Sequence, residues 1–231
     1  MDTLQYILDR YQLRENLSDP MPIPIRGMSR YDLGPLFHAL GFTQGAEIGV
    51  WKGRFSNALL QANPNLHLYC VDPWVPYPEY WDHTRHDTIG GAYNIAMATL
   101  AGQNCNIIRK FSVDAAKDVP DGSLDFVYID GNHSFQSVVN DLCEWSKKVR
   151  VGGIISGHDY KDFGSGTFID VVEAVHGFVG ANHIRPWFVL GRARARRGEA
   201  RDVPRSFMWV KPEPNALVVE WPRPYTADRV L

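Results

Sequence analysis

Segments of two kinds alternate along most of this 231-residue chain. Short apolar runs of the type that form buried strands are each followed by a segment whose apolar residues recur at helical spacing. A repeat of this kind predicts a parallel sheet with helices on both of its faces. We therefore expect an α/β fold with a doubly wound, mostly parallel, seven-stranded sheet. Its predicted strands lie at 46–50, 66–71, 106–109, 124–129, 154–155, 187–190 and 207–210.

Three segments are expected along the chain. Residues 1–42 form an N-terminal helical segment with helices predicted at 2–16 and 32–40, and a Pro-rich stretch from Pro20 to Pro24 ends the first of these. Residues 43–212 form the main domain, and residues 213–231 form a C-terminal extension. Further helices of the main domain are predicted at 53–62, 92–100, 135–143 and 168–178.

The composition is that of an ordinary globular domain. Hydrophobic residues make up 45% and charged residues 22%, with a formal net charge of −2. This balance makes nucleic acid an unlikely partner. With no apolar run near ~20 residues, no membrane partner is expected either. The start of the chain lacks the features of a secretory signal, and three cysteines without metal-like spacing are interpreted as buried thiols, so a cytoplasmic location is predicted.

The turn after the first strand of the main domain constrains the ligand. Gly49 permits a tight turn, and Gly53 permits close backbone approach where the next helix begins. A dinucleotide fingerprint would read G-x-G-x-x-G and would bring its central glycine against the pyrophosphate. Trp51 and Lys52 occupy that region here, and Glu47 precedes the turn. The turn is therefore poorly suited to a phosphate and favours a cofactor that carries positive charge.

A carboxylate ends the next strand. Asp72 follows Glu47 by 25 residues, near the ~20 expected for the acid that accepts hydrogen bonds from ribose hydroxyls. Because ligands of doubly wound sheets bind at the carboxyl ends of the strands, Asp72 and Gly49 are expected to line one site.

Two further strand ends carry acid and imidazole groups. The strand at 124–129 is followed by Asp130 and His133, and the strand at 154–155 is followed by His158 and Asp159. In a parallel sheet these two ends are neighbours. The sequence therefore predicts that two carboxylates and two imidazoles gather in one cleft.

These motifs together resemble a known family. The segment from Glu47 through Gly49 and Gly53 to Asp72 resembles the first two motifs of class I S-adenosylmethionine-dependent methyltransferases, which have a Rossmann-like fold. The Asp-Gly-x-His segment at 130–133 and the Gly-His-Asp-Tyr segment at 157–160 are similar to small-molecule and sugar O-methyltransferases of antibiotic biosynthesis. The resemblance covers about half of the chain, from about Gly45 to Tyr160.

The resemblance implies specific roles. S-adenosylmethionine would be the cofactor and a small molecule or sugar hydroxyl the acceptor. His133 would be the general base, and Asp130, His158 and Asp159 would hold a divalent metal such as Mg²⁺. Histidine suits transition metals better than Mg²⁺, so the identity of the metal stays open. The cofactor would contact a set of strand-end residues: Glu47, Gly49, Gly53, Asp72, Trp74, Phe111, Ser112 and Asp130.

Several alternatives stay open at this point. A nicotinamide-dependent oxidoreductase and a non-catalytic cofactor-binding protein are the competing functions. The aromatic loop at 73–81 is a candidate lid or an ordered surface loop, and the N-terminal segment is a candidate pocket wall or dimer contact, so a homo-oligomer is compatible with the sequence. The Arg-rich stretch at 191–205 is interpreted as a solvated loop.

Overall fold

The structure is a computed structural model that describes residues 2–76, 86–161, 169–192, 194 and 196–213, and no side chain at 86–88. The helices are α1 (Thr3–Arg10), α2 (Leu33–Ala39), α3 (Arg54–Ala62), α4 (His86–Thr99), α5 (Ser112–Ala116), α6 (Phe135–Lys148) and α7 (Val171–Ala181). The strands are β1 (Ile23–Ile25), β2 (Gln44–Ile48), β3 (His67–Val71), β4 (Cys105–Ile108), β5 (Leu124–Ile129), β6 (Val149–Tyr160), β7 (Phe188–Leu190) and β8 (Arg205–Val210).

All the described strands belong to one sheet. Its order is β1-β7-β8-β6-β5-β2-β3-β4, and β8 runs antiparallel to both of its neighbours while the other pairs are parallel. The predicted doubly wound, mostly parallel α/β fold is confirmed. In the described part of the chain the sheet has eight strands, one more than the seven predicted.

The additional strand is β1, which overlaps the Pro-rich stretch that was expected to end a helix. Ile23 and Ile25 are buried on either side of an exposed Pro24. Three residues are too few to show a period of two, and proline usually argues against a strand. Proline is nevertheless tolerated in an edge strand, and β1 pairs only with β7 among the described strands.

The two faces of the sheet pack against different helices. Along β5, the side chains of Phe126 and Tyr128 lie in one apolar cluster with residues of α1, α2, α3 and α4. The alternate residues Val127 and Ile129 lie in a second cluster with residues of α5, α6 and α7. A strand buried on both faces has the continuous apolar sequence that identified β5. This layering leaves the carboxyl ends of the strands as the open edge.

Smaller differences from the predictions have local causes. The turn predicted at 152–153 is a register shift within β6 rather than a strand boundary. Cys70 is buried and Cys105 half-buried, but Cys143 is exposed on α6, so the interpretation of all three as buried thiols is wrong. No helix in the described ranges combines the length and apolarity needed to cross a bilayer. Residues 77–81 of the candidate lid, Phe168 of the predicted helix and residues 214–231 lie outside the described residues.

Candidate active site

Two strand ends meet without any side chain between them. Gly49, which follows β2, has a φ of +90°, and a Cβ atom there would overlap the carbonyl oxygen of Asp130. Asp130 follows β5, and its backbone N–H donates to the carbonyl of Ile48 at 2.7 Å. Both the left-handed backbone and the close approach require glycine. The predicted tight turn is therefore also the junction between two parts of the site.

The Asp72 carboxylate at the end of β3 is held by backbone amides. The N–H groups of Trp51 and Trp74 donate to its two oxygens at 2.9 and 2.8 Å. Burial raises the pKa of Asp72, and these backbone hydrogen bonds oppose that rise. A carboxylate offers about four acceptor positions. Asp72 can therefore keep both amides and still accept from two further donors, as the two hydroxyls of a ribose would require.

A cavity of about 200 Å³ opens beside Asp72. Trp74 lines it, and the indole N–H of Trp74 donates to the carbonyl of Trp51 at 2.8 Å. The cavity extends from the end of β3 to the end of β5. Six of the eight predicted cofactor residues line it: Gly49, Asp72, Trp74, Phe111, Ser112 and Asp130.

Two predicted cofactor residues lie elsewhere. Glu47 is 1% exposed and accepts a hydrogen bond from the Ser56 hydroxyl behind the turn. Burial raises the pKa of Glu47 to about 8, so its side chain is mostly neutral at pH 7. Gly53 is the N-cap of α3 with a φ of +73°, and a Cβ there would lie 3.2 Å from Leu100. Neither is among the residues that line the cavity, and their cofactor contacts stay predictions.

The predicted acid–imidazole cluster forms at the ends of β5 and β6. Nε2 of His133 lies 3.0 Å from Oδ2 of Asp159 and 3.7 Å from Oδ1 of Asp130. Burial by itself would raise the pKa of Asp159, but hydrogen bonds with His133 and His158 outweigh it and hold the pKa well below its usual range. Asp159 is therefore a stable anion facing the His133 ring.

The spacing of this cluster is compatible with a cation. One ligand atom each from Asp130, His133 and Asp159 lies within 4.8 Å of the others. Carboxylate oxygens suit Mg²⁺, whereas the imidazole nitrogen suits a transition metal. The three-residue group contains His133, the predicted base, in place of His158, the predicted ligand.

His158 makes different contacts. Its Nδ1 lies 3.2 Å from Oδ2 of Asp159, and its Nε2 lies 3.3 Å from Nη1 of Arg30. Burial lowers the pKa of His158, but hydrogen bonds and charge interactions with Asp130 and Asp159 outweigh it and raise the pKa to about 9. The contact with Arg30, whose guanidinium only donates hydrogen bonds, favours instead a neutral ring with its proton on Nδ1. In both forms Nδ1 carries a proton, so His158 presents a proton, not a lone pair, to the carboxylates.

The loop that carries His133 is anchored at several points. Asn132 accepts from the backbone N–H of Ser134 at 2.9 Å, and the side chain of Ser134 caps α6. The carbonyl of His133 accepts from the N–H of Asp170 at 2.9 Å, just before α7. These hydrogen bonds hold the loop and place the His133 ring beside Asp159.

Arg30 and Asp141 are among the site residues that were missed from the sequence. Arg30 belongs to a segment for which two interpretations stayed open, and nothing in its local pattern indicated a contact with β5 or β6. Asp141 lines the cavity from α6 and is 4% exposed. Burial raises the pKa of Asp141 to about 7, although a hydrogen bond with Ser112 lowers it. An acid on the apolar face of a predicted helix is a signal that could have identified Asp141.

Comparison with known proteins places the chain in a family. Residues 46–160, about half of the chain, match a family model described as a methyltransferase domain. An uncharacterized protein, R132, from Acanthamoeba polyphaga mimivirus is 30% identical over 122 residues, which make up 51% of each chain. The chain thus spans about half the length of the curated relative that it matches.

Solved structures support the fold. A candidate caffeoyl-CoA O-methyltransferase from Staphylococcus aureus is 16% identical, with 90% of this chain and 98% of that chain covered and a TM-score of 0.56. An O-methyltransferase from Bacillus cereus, solved in complex with SAH, is also 16% identical, with 91% of both chains covered and a TM-score of 0.55. At these identities the likeness concerns the fold alone.

The doubly wound sheet, the cavity at its carboxyl edge and the family match define one class of protein. The chain belongs to the class I S-adenosylmethionine-dependent methyltransferases. Within it, residues 46–160 carry the matched methyltransferase domain, from β2 through the end of β6.

Proposed function

We propose that this protein is an O-methyltransferase that transfers the methyl group of S-adenosylmethionine to a hydroxyl of a small molecule or sugar. The observation that carries the proposal is the continuity of the site. The cavity beside Asp72 reaches Asp130, and Asp130 faces the His133–Asp159 pair. A donor bound along the cavity would therefore present its methyl group toward a basic pair.

The cavity suits S-adenosylmethionine better than a dinucleotide. Gly49 lets the backbone approach the ligand, and Asp72 has acceptor positions left for the ribose hydroxyls. Phe111 and Ser112 also line the cavity, and the adenine is proposed to lie against them. We do not assign Glu47 a role in attracting the positively charged cofactor, because its carboxyl is mostly neutral and buried.

His133 is proposed as the general base. Methyl transfer is a displacement in which a hydroxyl must lose its proton to become a good nucleophile. Oδ2 of Asp159 lies 3.0 Å from Nε2 of His133. An anion in that position orients the imidazole and stabilises its charged form. With Nε2 facing Asp159, the ring would take up the proton of the acceptor on Nδ1.

A divalent cation is the second way to activate the acceptor. Asp130, Asp159 and His133 would hold the ion, which would lower the pKa of a bound hydroxyl. Nε2 of His133 faces Asp159 at 3.0 Å, so an ion held by Nε2 would replace the contact with Asp159 that supports the base. The base and the metal are therefore competing proposals for the His133 ring, and the predicted ligation by His158 through Nδ1 would need that nitrogen to lose its proton.

The central experiment separates cofactor binding from catalysis. We expect S-adenosylhomocysteine to bind the wild type in calorimetry, and NAD not to bind. Release of S-adenosylhomocysteine from S-adenosylmethionine is then followed over a panel of catechols, hydroxy acids and glycosides, with and without EDTA. His133→Asn should lower the rate about 10²- to 10⁴-fold, as expected for loss of a general base, with unchanged cofactor affinity.

The matched control is His183→Asn at an exposed position, which should leave the rate unchanged. Binding of NAD but not of S-adenosylhomocysteine would support an oxidoreductase and end the proposal. Cofactor binding without turnover on any acceptor would favour a non-catalytic binding protein. Loss of all activity in EDTA would exclude the metal-free base mechanism.

A further inference from the structure

Arg30 brings a fixed positive charge to the acid–imidazole cluster. It lies in a single helical turn, Arg30–Asp32, between β1 and α2. Its Nη1 lies 3.6 Å from Oδ2 of Asp130 and 3.3 Å from Nε2 of His158. The side chain is 26% exposed, so the guanidinium is only partly solvated.

The structure holds this guanidinium in place from several sides. Its carbon lies 5.2 Å from the centre of the Tyr31 ring and 5.5 Å from that of Phe55. The backbone N–H of Arg30 donates to Asp202, a carboxylate that is 4% exposed and also accepts from the N–H of Ser206 at 2.7 Å. The side chain is thus fixed by aromatic contacts, and its backbone is tied to the start of β8.

The position of Arg30 affects the affinity of the acid–imidazole cluster for a divalent cation. Two carboxylates, Asp130 and Asp159, supply the negative charge that attracts a divalent ion. Arg30 already neutralises part of that charge from the Oδ2 side of Asp130. Like charges a few ångströms apart repel strongly at a partly buried site. An ion among Asp130, His133 and Asp159 would therefore be repelled by the guanidinium.

We propose that Arg30 is a positioning residue that weakens divalent-cation binding at the Asp130–His133–Asp159 group and so leaves His133 available as a base. This rests on the proposed methyl transfer, in which His133 is either base or ligand. Arg30, from the N-terminal segment, would then supply positive charge beside the carboxylates in place of a bound ion. A hydroxyl acceptor would then be deprotonated by His133 beside a guanidinium, not beside a bound ion.

The test measures Mn²⁺ binding to the full chain by calorimetry and by the electron paramagnetic resonance of the bound ion. Arg30→Met should tighten Mn²⁺ binding about tenfold or more, within the range seen when residues around metal ligands are changed. Arg30→Lys keeps the charge and should stay near the wild type. Arg26→Met is the matched control, because Arg26 is exposed and makes no ion pair among the described residues.

The Mn²⁺ results bear on the role of Arg30 alone. Equal Mn²⁺ affinity in the wild type and Arg30→Met, or no binding by either, would overturn it. So would tightening by Arg30→Lys or by Arg26→Met to the same extent as by Arg30→Met. S-adenosylhomocysteine binding is measured on the same samples. Its absence would remove the proposed function, whereas its presence with unchanged Mn²⁺ affinity would remove only the role of Arg30.

Discussion

The site consists of two halves that are built differently. The cofactor half, around Gly49, Trp51, Asp72 and Trp74, relies on backbone groups: a left-handed glycine and two amides that hold one carboxylate. The reaction half relies on side chains that carry carboxylate, imidazole and guanidinium groups, each within 3.0–3.7 Å of at least one other: Asp130, His133, His158, Asp159 and Arg30.

The two halves also differ in how far apart their residues lie in the chain. Trp51 and Asp72 are 21 residues apart, whereas Arg30 and His158 are 128 residues apart. Local backbone geometry is encoded within one strand–turn–helix unit. A charge cluster drawn from remote segments depends on the whole sheet. We therefore expect substitutions in the cofactor half to change ligand binding and substitutions in the reaction half to change rates.

The largest effect is expected where the halves meet. Gly49→Ala places a methyl group against the carbonyl of Asp130 and forces alanine into a positive φ. Overpacking against rigid backbone should cost about 3 kcal/mol of the free energy of unfolding. Urea denaturation measures this loss, and calorimetry should show that S-adenosylhomocysteine binding is lost as well.

Gly102→Ala is the control for backbone strain alone. Gly102 has a φ of +74°, but a Cβ there meets nothing within 4 Å. Its replacement should cost only about 1–2 kcal/mol, the penalty for a left-handed residue. Equal losses in the two variants would show that contact between the strand ends is unimportant.

A moderate effect confined to one half is expected from Asp72→Asn. The asparagine side chain has a single oxygen, which would have to accept from the backbone N–H groups of Trp51 and Trp74 as well as from the ribose hydroxyls. At least one hydrogen bond to a charged acceptor is therefore lost. Such bonds contribute about 1.5–3 kcal/mol, which corresponds to a fall in S-adenosylhomocysteine affinity of about tenfold to a hundredfold. Isothermal titration calorimetry measures this fall. Asp118→Asn, at an exposed position paired with Lys110, should bind normally.

Under saturating cofactor, Asp72→Asn should retain most of the wild-type methyl-transfer rate, because the His133–Asp159 pair is untouched. A large loss of rate at saturation would mean that the two halves do not act separately.

The smallest effect on the site is expected from Glu47→Gln. The pKa of Glu47 is about 8 in the folded chain, against about 4.3 when unfolded. Between these values the unfolded state loses a proton that the folded state keeps, so stability falls as pH rises. The slope contributed by Glu47 is up to about 1.4 kcal/mol per pH unit. Urea unfolding from pH 5 to 8 should show a flatter profile for the variant, with cofactor affinity unchanged.

Glu144→Gln serves as the comparison, since Glu144 is a partly exposed partner of Lys147. Burial also raises the pKa values of Asp72 and Asp141, and their contribution persists in both variants. Parallel pH profiles for the wild type and Glu47→Gln would contradict the assigned protonation.

Much of the fold and part of the site could be predicted from the sequence. The alternation of apolar runs predicted the strands of the main domain, because a strand buried on both faces has a continuous apolar sequence. The neighbouring ends of β5 and β6 then predicted the meeting of Asp130, His133, His158 and Asp159. Gly49 was predicted for its turn, although its contact with Asp130 was not.

Other features could not be predicted because they depend on packing between distant segments. β1 is three residues long and exists through its pairing with β7. The side chain of Glu47 could face the ligand or the core, and the packing of α3 with its Ser56 hydroxyl decided for the core. The candidate metal-binding group contains His133 where His158 was predicted, because the orientation of each imidazole ring decides which nitrogen lies near the carboxylates.

The sequence by itself determined the layered sheet, the glycine turn and the strand ends at which acids and imidazoles stand, because these follow from local periodicity and chain order. Only the tertiary structure decided which carboxyls are neutral, which imidazole faces which acid, and that Arg30 joins them. Charge interactions and desolvation depend on distances of a few ångströms between segments far apart in the chain, and no local pattern encodes those distances.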